Sequence, residues 1–359
     1  GSFNQPLVIG SLPQSITSLF LGDEFNHPLK PRVLPYSLKE LKLGKRYNMQ
    51  FSVGSLPSSI TKLDTGGFNH PLIPGTLPSS LTDLFLNVYS KHILADTLPT
   101  SLITLRVGDY FNEYFDIGVL PPHLRSLTFG TRFDTNLPAG AFPDTLTELK
   151  FGSNFNRPFT IGLLPKSIIS LDLGYLFNQP LSGWVVPPAL QSLILSPRFN
   201  QRLSPSALPP TLKHLQLGSS FDPKLNRDKN LIPDSITSLS CDNSIFKNMP
   251  NNMFSHCKIE HITLYIDHPT YFPKLQQFNH MLSTLTIYQC HGSLAAQQSI
   301  INQYLNTGLP HLIVRQDTKG VIGTVRRLDT NELLVMDSKR RMYIINKEKL
   351  LDIHQHVFG

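Results

Sequence analysis

Along most of the chain short apolar triplets of the form L-x-x-L-x-L recur, as in Leu38, Leu41 and Leu43, or in Ile168, Leu171 and Leu173. Two leucines separated by one residue point to the same side of an extended chain, and the residues around them point to the other. Each triplet therefore predicts a short strand with one apolar and one polar face. The recurrence is regular: Phe3-Asn4-Gln5-Pro6-Leu7 returns 22 residues later as Phe25-Asn26-His27-Pro28-Leu29. The same phase carries Tyr47-Asn48, Phe68-Asn69, Phe111-Asn112, Phe133-Asp134, Phe155-Asn156, Phe177-Asn178, Phe199-Asn200 and Phe221-Asp222, with Tyr89-Ser90 the weakest match. Two spacings, around Gly67 and Val88, are 21.

Each unit also holds a Leu-Pro step ahead of its triplet, from Leu12-Pro13 to Leu208-Pro209, with Phe142-Pro143, Val186-Pro187 and Ile232-Pro233 as variants. Proline here lies outside the strand, where a missing N–H costs least. A glycine such as Gly44 or Gly108 follows many strands, where the chain must turn. The aromatic residue then returns to the core, and the Asn is expected to bond backbone left unpaired by the bend. A unit this short cannot bury its own apolar face, so copies must stack. The predicted fold is mainly β: a leucine-rich-repeat-like solenoid whose eleven strands, about 4.8 Å apart, form a parallel ribbon roughly 50 Å long.

Composition agrees. The 29 prolines among 359 residues, with only 16% charged residues, exclude a helical bundle. No apolar run approaches the roughly 20 residues that cross a bilayer, so no membrane partner is expected. Three cysteines fit a reducing compartment better than a disulfide framework.

The combination F-N-x-P-L with L-P-x-S-L-x-x-L resembles the FNIP repeat, a leucine-rich-repeat-like family found mainly in social amoebae and in giant viruses that infect them. The resemblance covers residues 3–242 in eleven copies. It implies a cytoplasmic protein, in the host cytoplasm if viral. It also implies the client-recognition region of an F-box-type ubiquitin-ligase receptor, docked to a cullin-type adaptor through an N-terminal module. No F-box is visible in this sequence. Residues 1–2, Gly-Ser, read as a cloning remnant, and a solenoid needs a cap, so further sequence is expected upstream of Phe3.

After Asp242 the phase is lost. Residues 243–292 read as degenerate terminal repeats with strands at 262–266 and 282–287, and residues 293–308 as a capping helix. Residues 309–359 read as a small β-rich unit packed on the end of the solenoid, with hairpin turns near 329–331 and 337–339.

No catalytic motif is present, and a non-enzymatic scaffold without cofactor is expected. His256, Cys257, His261 and Cys290-His291 gather metal-ligand types, but their spacing fits no zinc pattern, so the cysteines read as packing. Function in a repeat protein falls to positions that vary while the frame does not. The outward strand positions form two columns, and the expected client-binding residues on them are Phe20, Lys42, Phe85, Arg106, Lys150, Ile194 and His214. Glu40–Lys62–Asp83, Lys42–Asp64 and Lys150–Asp172 are expected to neutralise one another across neighbouring strands, which disfavours nucleic acid on this face. The net charge of +7 divides between repeats and tail, but the tail holds its share in a shorter stretch: residues 305–359 carry 9 basic and 6 acidic residues. Arg326, Arg327, Lys339, Arg340 and Arg341 there offer the alternative, an anion- or RNA-binding surface. A stand-alone adaptor without a ligase link is the other alternative.

Overall fold

The computed structural model describes residues 3–204, 207–226, 231–242, 244–245, 250, 253–254, 256–266 and 282–289, and the backbone of four further strands between 311 and 346. The chain divides into two units, Gly1–Leu190 and Gln191–Gly359. The capping helix expected at 293–308, and with it Cys290 and His291, lies outside the described residues.

The first unit contains β1 (Ser18–Phe20), β2 (Glu40–Lys42), β3 (Lys62–Asp64), β4 (Asp83–Leu86), β5 (Thr104–Val107), β6 (Ser126–Thr128), β7 (Glu148–Lys150) and β8 (Ser170–Asp172). Each pairs in parallel with the next, and one register runs throughout: Leu19, Leu41, Leu63, Leu84, Leu105, Leu127, Leu149 and Leu171 share a row. From Leu41 onward that row is buried, while its neighbours on either side face outward, which is the period-two pattern of the sequence made solid.

Behind the ribbon the repeated aromatics stack one turn upon the next. Phe25 and Tyr47 lie 6.1 Å apart and within 3° of parallel, and Phe111, Phe133, Phe155 and Phe177 continue the stack at 5.9–6.2 Å. The repeated Asn does more than close its own bend. Its Oδ1 accepts the backbone N–H of the equivalent residue one turn on: Asn26 from Asn48 at 2.9 Å, Asn48 from Asn69 at 2.9 Å, and Asn156 from Asn178 at 2.8 Å. The serine of L-P-x-S-L plays a matching part. Ser37, Ser59, Ser80 and Ser101 each donate Oγ–H to the carbonyl of an apolar residue in the preceding turn, at 2.6–2.7 Å.

Two kinds of glycine position appear. Gly108 has no left-handed backbone; it is glycine because a Cβ there would overlap the carbonyl of Asn87 in the adjacent turn. At Gly108 the sharp turn expected from the sequence is thus a close approach between turns, whereas Gly66 and Gly174 combine the close approach with left-handed backbone. Left-handed backbone recurs on the return path, at Gly54 (φ 78°), Gly118 (φ 83°) and their equivalents, with Arg32 (φ 67°) and Asp96 (φ 60°) in the same phase; of the glycines after the strands, Gly22, Gly66 and Gly174 share it.

In the second unit β9 (Ser192–Ile194), β10 (His214–Gln216), β11 (Ser238–Asp242), β12 (His261–Ile266), β13 (Thr284–Gln289) and β14 (His311–Gln316) run parallel in sequence order. β15 (Gly320–Arg327), β16 (Glu332–Asp337) and β17 (Met342–Asn346) follow as an antiparallel meander. The strands expected at 309–359 begin as a continuation of the ladder. The first of them pairs in parallel, with Leu285 opposite Leu312, and the chain reverses only afterwards.

These packing rules separate two substitutions. Gly108→Ala forces two turns apart and should cost about 1–3 kcal/mol. Arg32→Gly relieves a left-handed, exposed side chain and should raise stability by up to about 1 kcal/mol. Urea unfolding of both variants beside the parent measures the two signs.

Candidate functional site

The outward side chains of the first unit stand in two columns because the strands keep one register. Phe20, Lys42, Asp64, Phe85, Arg106, Thr128, Lys150 and Asp172 form one, and Glu40, Lys62, Asp83 and Thr104 belong to the other. Two of the expected charge pairs form. Lys42 Nζ lies 3.7 Å from Asp64 Oδ2, and Lys150 Nζ lies 2.9 Å from Asp172 Oδ2. Both lysines are more than half exposed, so each pair contributes about 0.2–1 kcal/mol. Lys42 also sits 5.6 Å above the ring of Phe20, whose own exposure is 53%.

The third expected set does not form. Lys62 stands in register between Glu40 and Asp83, yet among the described residues it makes an ion pair with neither. Asp83 accepts the Thr82 hydroxyl at 2.8 Å, and Glu40 the Ser18 hydroxyl at 3.4 Å. Asp64 is the most tied carboxylate: besides Lys42 it accepts the Gly66 N–H at 3.1 Å and the Asn87 side-chain amide. Opposite signs in register thus did not guarantee contact; local partners took two of the three carboxylates.

Across β2–β5 these residues line a shallow depression of about 330 Å³. Its charged rim is Glu40, Lys42, Lys62, Asp64, Asp83 and Arg106, and Phe85 stands half-buried within it, with Arg106 beside Phe85 on the next strand. Of the expected binding residues, Lys42, Phe85 and Arg106 meet in this depression. Phe20 borders Lys42 from β1, and Lys150 lies apart, paired with Asp172. Lys62, Asp83 and Thr104 line the depression as well; in the sequence the alternating signs of Lys62 and Asp83 read as self-neutralisation, and Thr104 gives no signal.

In the second unit Ile194 is half-buried on β9, and His214, exposed on β10, faces Ser192 and Ser238. Arg326 and Arg327 fall on β15 opposite Leu334 and Leu333. Lys339, Arg340 and Arg341 lie outside the described residues.

The model of the FNIP Repeat family matches residues 1–24, 25–67, 68–105, 89–132, 133–176, 177–220 and 199–244, most of these spans holding two 22-residue turns. The chain belongs to the FNIP-repeat family. Among solved structures, CroV588, described as a novel circular LRR protein, is 28% identical with a TM-score of 0.61 over 80% of this chain. The FNIP chain spans 45% of CroV588's length. The leucine-rich repeat-containing protein LegL7 from Legionella pneumophila is 15% identical over 75% of this chain and 88% of its own, with a TM-score of 0.31. No curated protein matches. The FNIP turns thus build a leucine-rich-repeat-type solenoid, an architecture that offers an extended face for protein interaction. Among the described residues no helix is long and apolar enough to cross a membrane.

The Cys/His cluster at the end of the FNIP repeats resolves into packing contacts where it is described. His256 Nε2 lies 2.7 Å from the Ile232 carbonyl, and Cys257 donates Sγ–H to the Pro233 carbonyl at 3.4 Å. Among the described residues no group of three or more His, Cys, Asp or Glu is placed to hold a metal. Burial pushes the Cys257 thiol up to about 12, with the Asp234 carboxylate adding to the effect. Burial likewise raises the Cys241 thiol well above its ordinary value, helped by Asp242. Both thiols should therefore resist iodoacetamide in the native protein near pH about 8 and react in denaturant, as peptide mapping would reveal. Because folding raises these values, the stability they contribute is complete below the unfolded thiol value of about 8.5 and is lost as pH rises toward 12. Unfolding free energy should fall across that window, and Cys257→Ala should flatten the decline.

Proposed function

We propose that this chain is a non-enzymatic protein-interaction scaffold whose client seats on the strand face of the first unit, in the depression across β2–β5. The observation that carries the reading is the state of Lys62, Arg106 and Phe85. Lys62 and Arg106 have no ion-pair partner among the described residues, and an aromatic ring lies between their strands without closing over the core. The frame gains nothing from that arrangement, whereas a partner gains an apolar anchor flanked by fixed charges. Fixed alternating charge also favours a protein partner over nucleic acid, which asks for a run of cations.

The finer reading, supported by family resemblance alone, is a client-recognition region of an F-box-type ubiquitin-ligase receptor in the cytoplasm. Co-purification of the natural full-length protein with a cullin adaptor tests that link, and absence of any such complex removes it. The scaffold reading stands separately. Once a client is isolated, Phe85→Ala with Arg106→Ala should weaken its binding at least tenfold while leaving the unfolding transition in place; each hot-spot truncation of this kind costs about 1–2 kcal/mol or more. Unchanged affinity in a folded variant would remove the depression as the client site.

A further inference from the structure

A second surface lies on the return path of the first unit, away from the strand columns. Nine turns there are each closed by an N–H to carbonyl bond across four residues, from Ser11→Val8 to Val185→Ser182, at 3.0–3.4 Å, and the first eight share a left-handed third residue. Their tips occupy residues 8–10, 30–32, 52–54, 73–75, 94–96, 116–118, 138–140, 160–162 and 182–184. All are exposed except Ser182, which is half-buried. Where the left-handed residue is third in the turn, the residue before it projects outward, and that residue is apolar in the first eight turns. Ile9, Val53, Ile117 and Ile161 are 68–77% exposed, and Ile73 and Leu94 extend the same edge. Adjacent tips touch: Gly140 N–H donates to the Gly162 carbonyl at 3.3 Å. With turns about 4.8 Å apart the edge is an apolar stripe roughly 38 Å long. Isolated exposed apolar residues are ordinary, but a phased, contiguous row of them is not.

The stripe carries four charges in its 27 positions, and their placement identifies the occupant. Lys30 and Arg32 share the second turn; Asp96 and Asp116 stand in the fifth and sixth. A copy of the chain rotated by a two-fold axis through the turn at 73–75 brings each cationic turn opposite the partner's Asp116 turn. The same rotation sets the Val53 turn against the turn of Leu94 and Asp96. Apolar tips then meet apolar tips and opposite charges meet twice, as an isologous interface requires. A net charge of zero along the stripe gives an anionic membrane or a nucleic acid nothing to hold.

We infer that this turn edge is a self-association surface, joining two copies antiparallel through the stripe. Seven turns overlap in that arrangement, a contact about 29 Å long and one turn wide. That is the low end of specific interfaces, so the dimer forms reversibly in the micromolar range.

Sedimentation velocity over micromolar concentrations tests this with charge reversal in trans. The parent protein is expected to shift from monomer to dimer. Lys30→Glu with Arg32→Glu, and separately Asp96→Lys with Asp116→Lys, should each weaken association at least tenfold, and an equimolar mixture of the two should restore it. Circular dichroism establishes that each variant is folded, and Ile9→Ser with Val53→Ser and Ile73→Ser provides an uncharged version of the same loss. A parent that stays monomeric throughout, a mixture that fails to recover, or association indifferent to the serine changes would overturn the proposal. So would a monomer that binds neutral phosphatidylcholine vesicles with a blue shift of Trp184, the sole tryptophan, 86% exposed at the far end of the stripe.

Discussion

A turn of 22 residues with a three-residue strand cannot satisfy itself. It has too few apolar side chains to enclose a core, and its bends leave backbone donors and acceptors without partners inside the turn. Short bonds such as Ser11 N–H to the Val8 carbonyl and Leu38 N–H to the Pro35 carbonyl close some bends within a turn, and the remaining regularities of the first unit hand the unmet group to the neighbouring turn. The strand ladder handles the ribbon, the Asn Oδ1 acceptors handle one bend, and the serine hydroxyls of L-P-x-S-L handle the other. The stacked aromatics fill the space these bonds enclose. Orphaned buried polar groups are costly, so the coupling between turns is strong and the frame leaves little freedom to the residues that build it.

That division of labour explains where function can reside. Residues recruited to close a turn carry no partner-specific information, however often they recur. The informative positions are those the frame does not need: the outward strand columns and the tips of the return turns. The two differ in character. The strand face is mixed in sign with a single half-buried aromatic at its centre, and the turn edge is an apolar row carrying two cations and two carboxylates that sum to zero. One protein can therefore present two chemically distinct surfaces without altering the frame between them.

Much of this was legible in the sequence. Period-two leucines placed the strands of β1–β11, and their phase set the parallel register, because slipping one residue would turn Leu41 or Leu84 to solvent. Other features were visible as residue types but not as contacts. Asn48 reads as a turn former within its own bend, and only the stacked backbone reveals that its acceptor reaches Asn69. Gly108 reads as a bend, yet it answers to a carbonyl 21 positions earlier. The charges on β2–β4 seemed to cancel in register, but cancellation depends on rotamers that Thr82, Ser18 and Asn87 decide locally. The turn-tip stripe escaped notice because period-two reasoning assigns faces only to strands. The orientation of Ile9 or Ile161 follows from the left-handed residue after it.

The central claim is that a turn cannot close without its neighbour, because the bend after a strand depends on an acceptor from the adjacent turn, and one amide reports on it directly. Asn69 N–H donates to Asn48 Oδ1 at 2.9 Å, so its hydrogen exchange should be slow in the parent protein. In Asn48→Ala that amide should exchange about ten- to a hundredfold faster, while the amides of Leu63 and Leu84 in the adjoining strands keep their protection. Unchanged exchange at Asn69 in the variant would contradict the account.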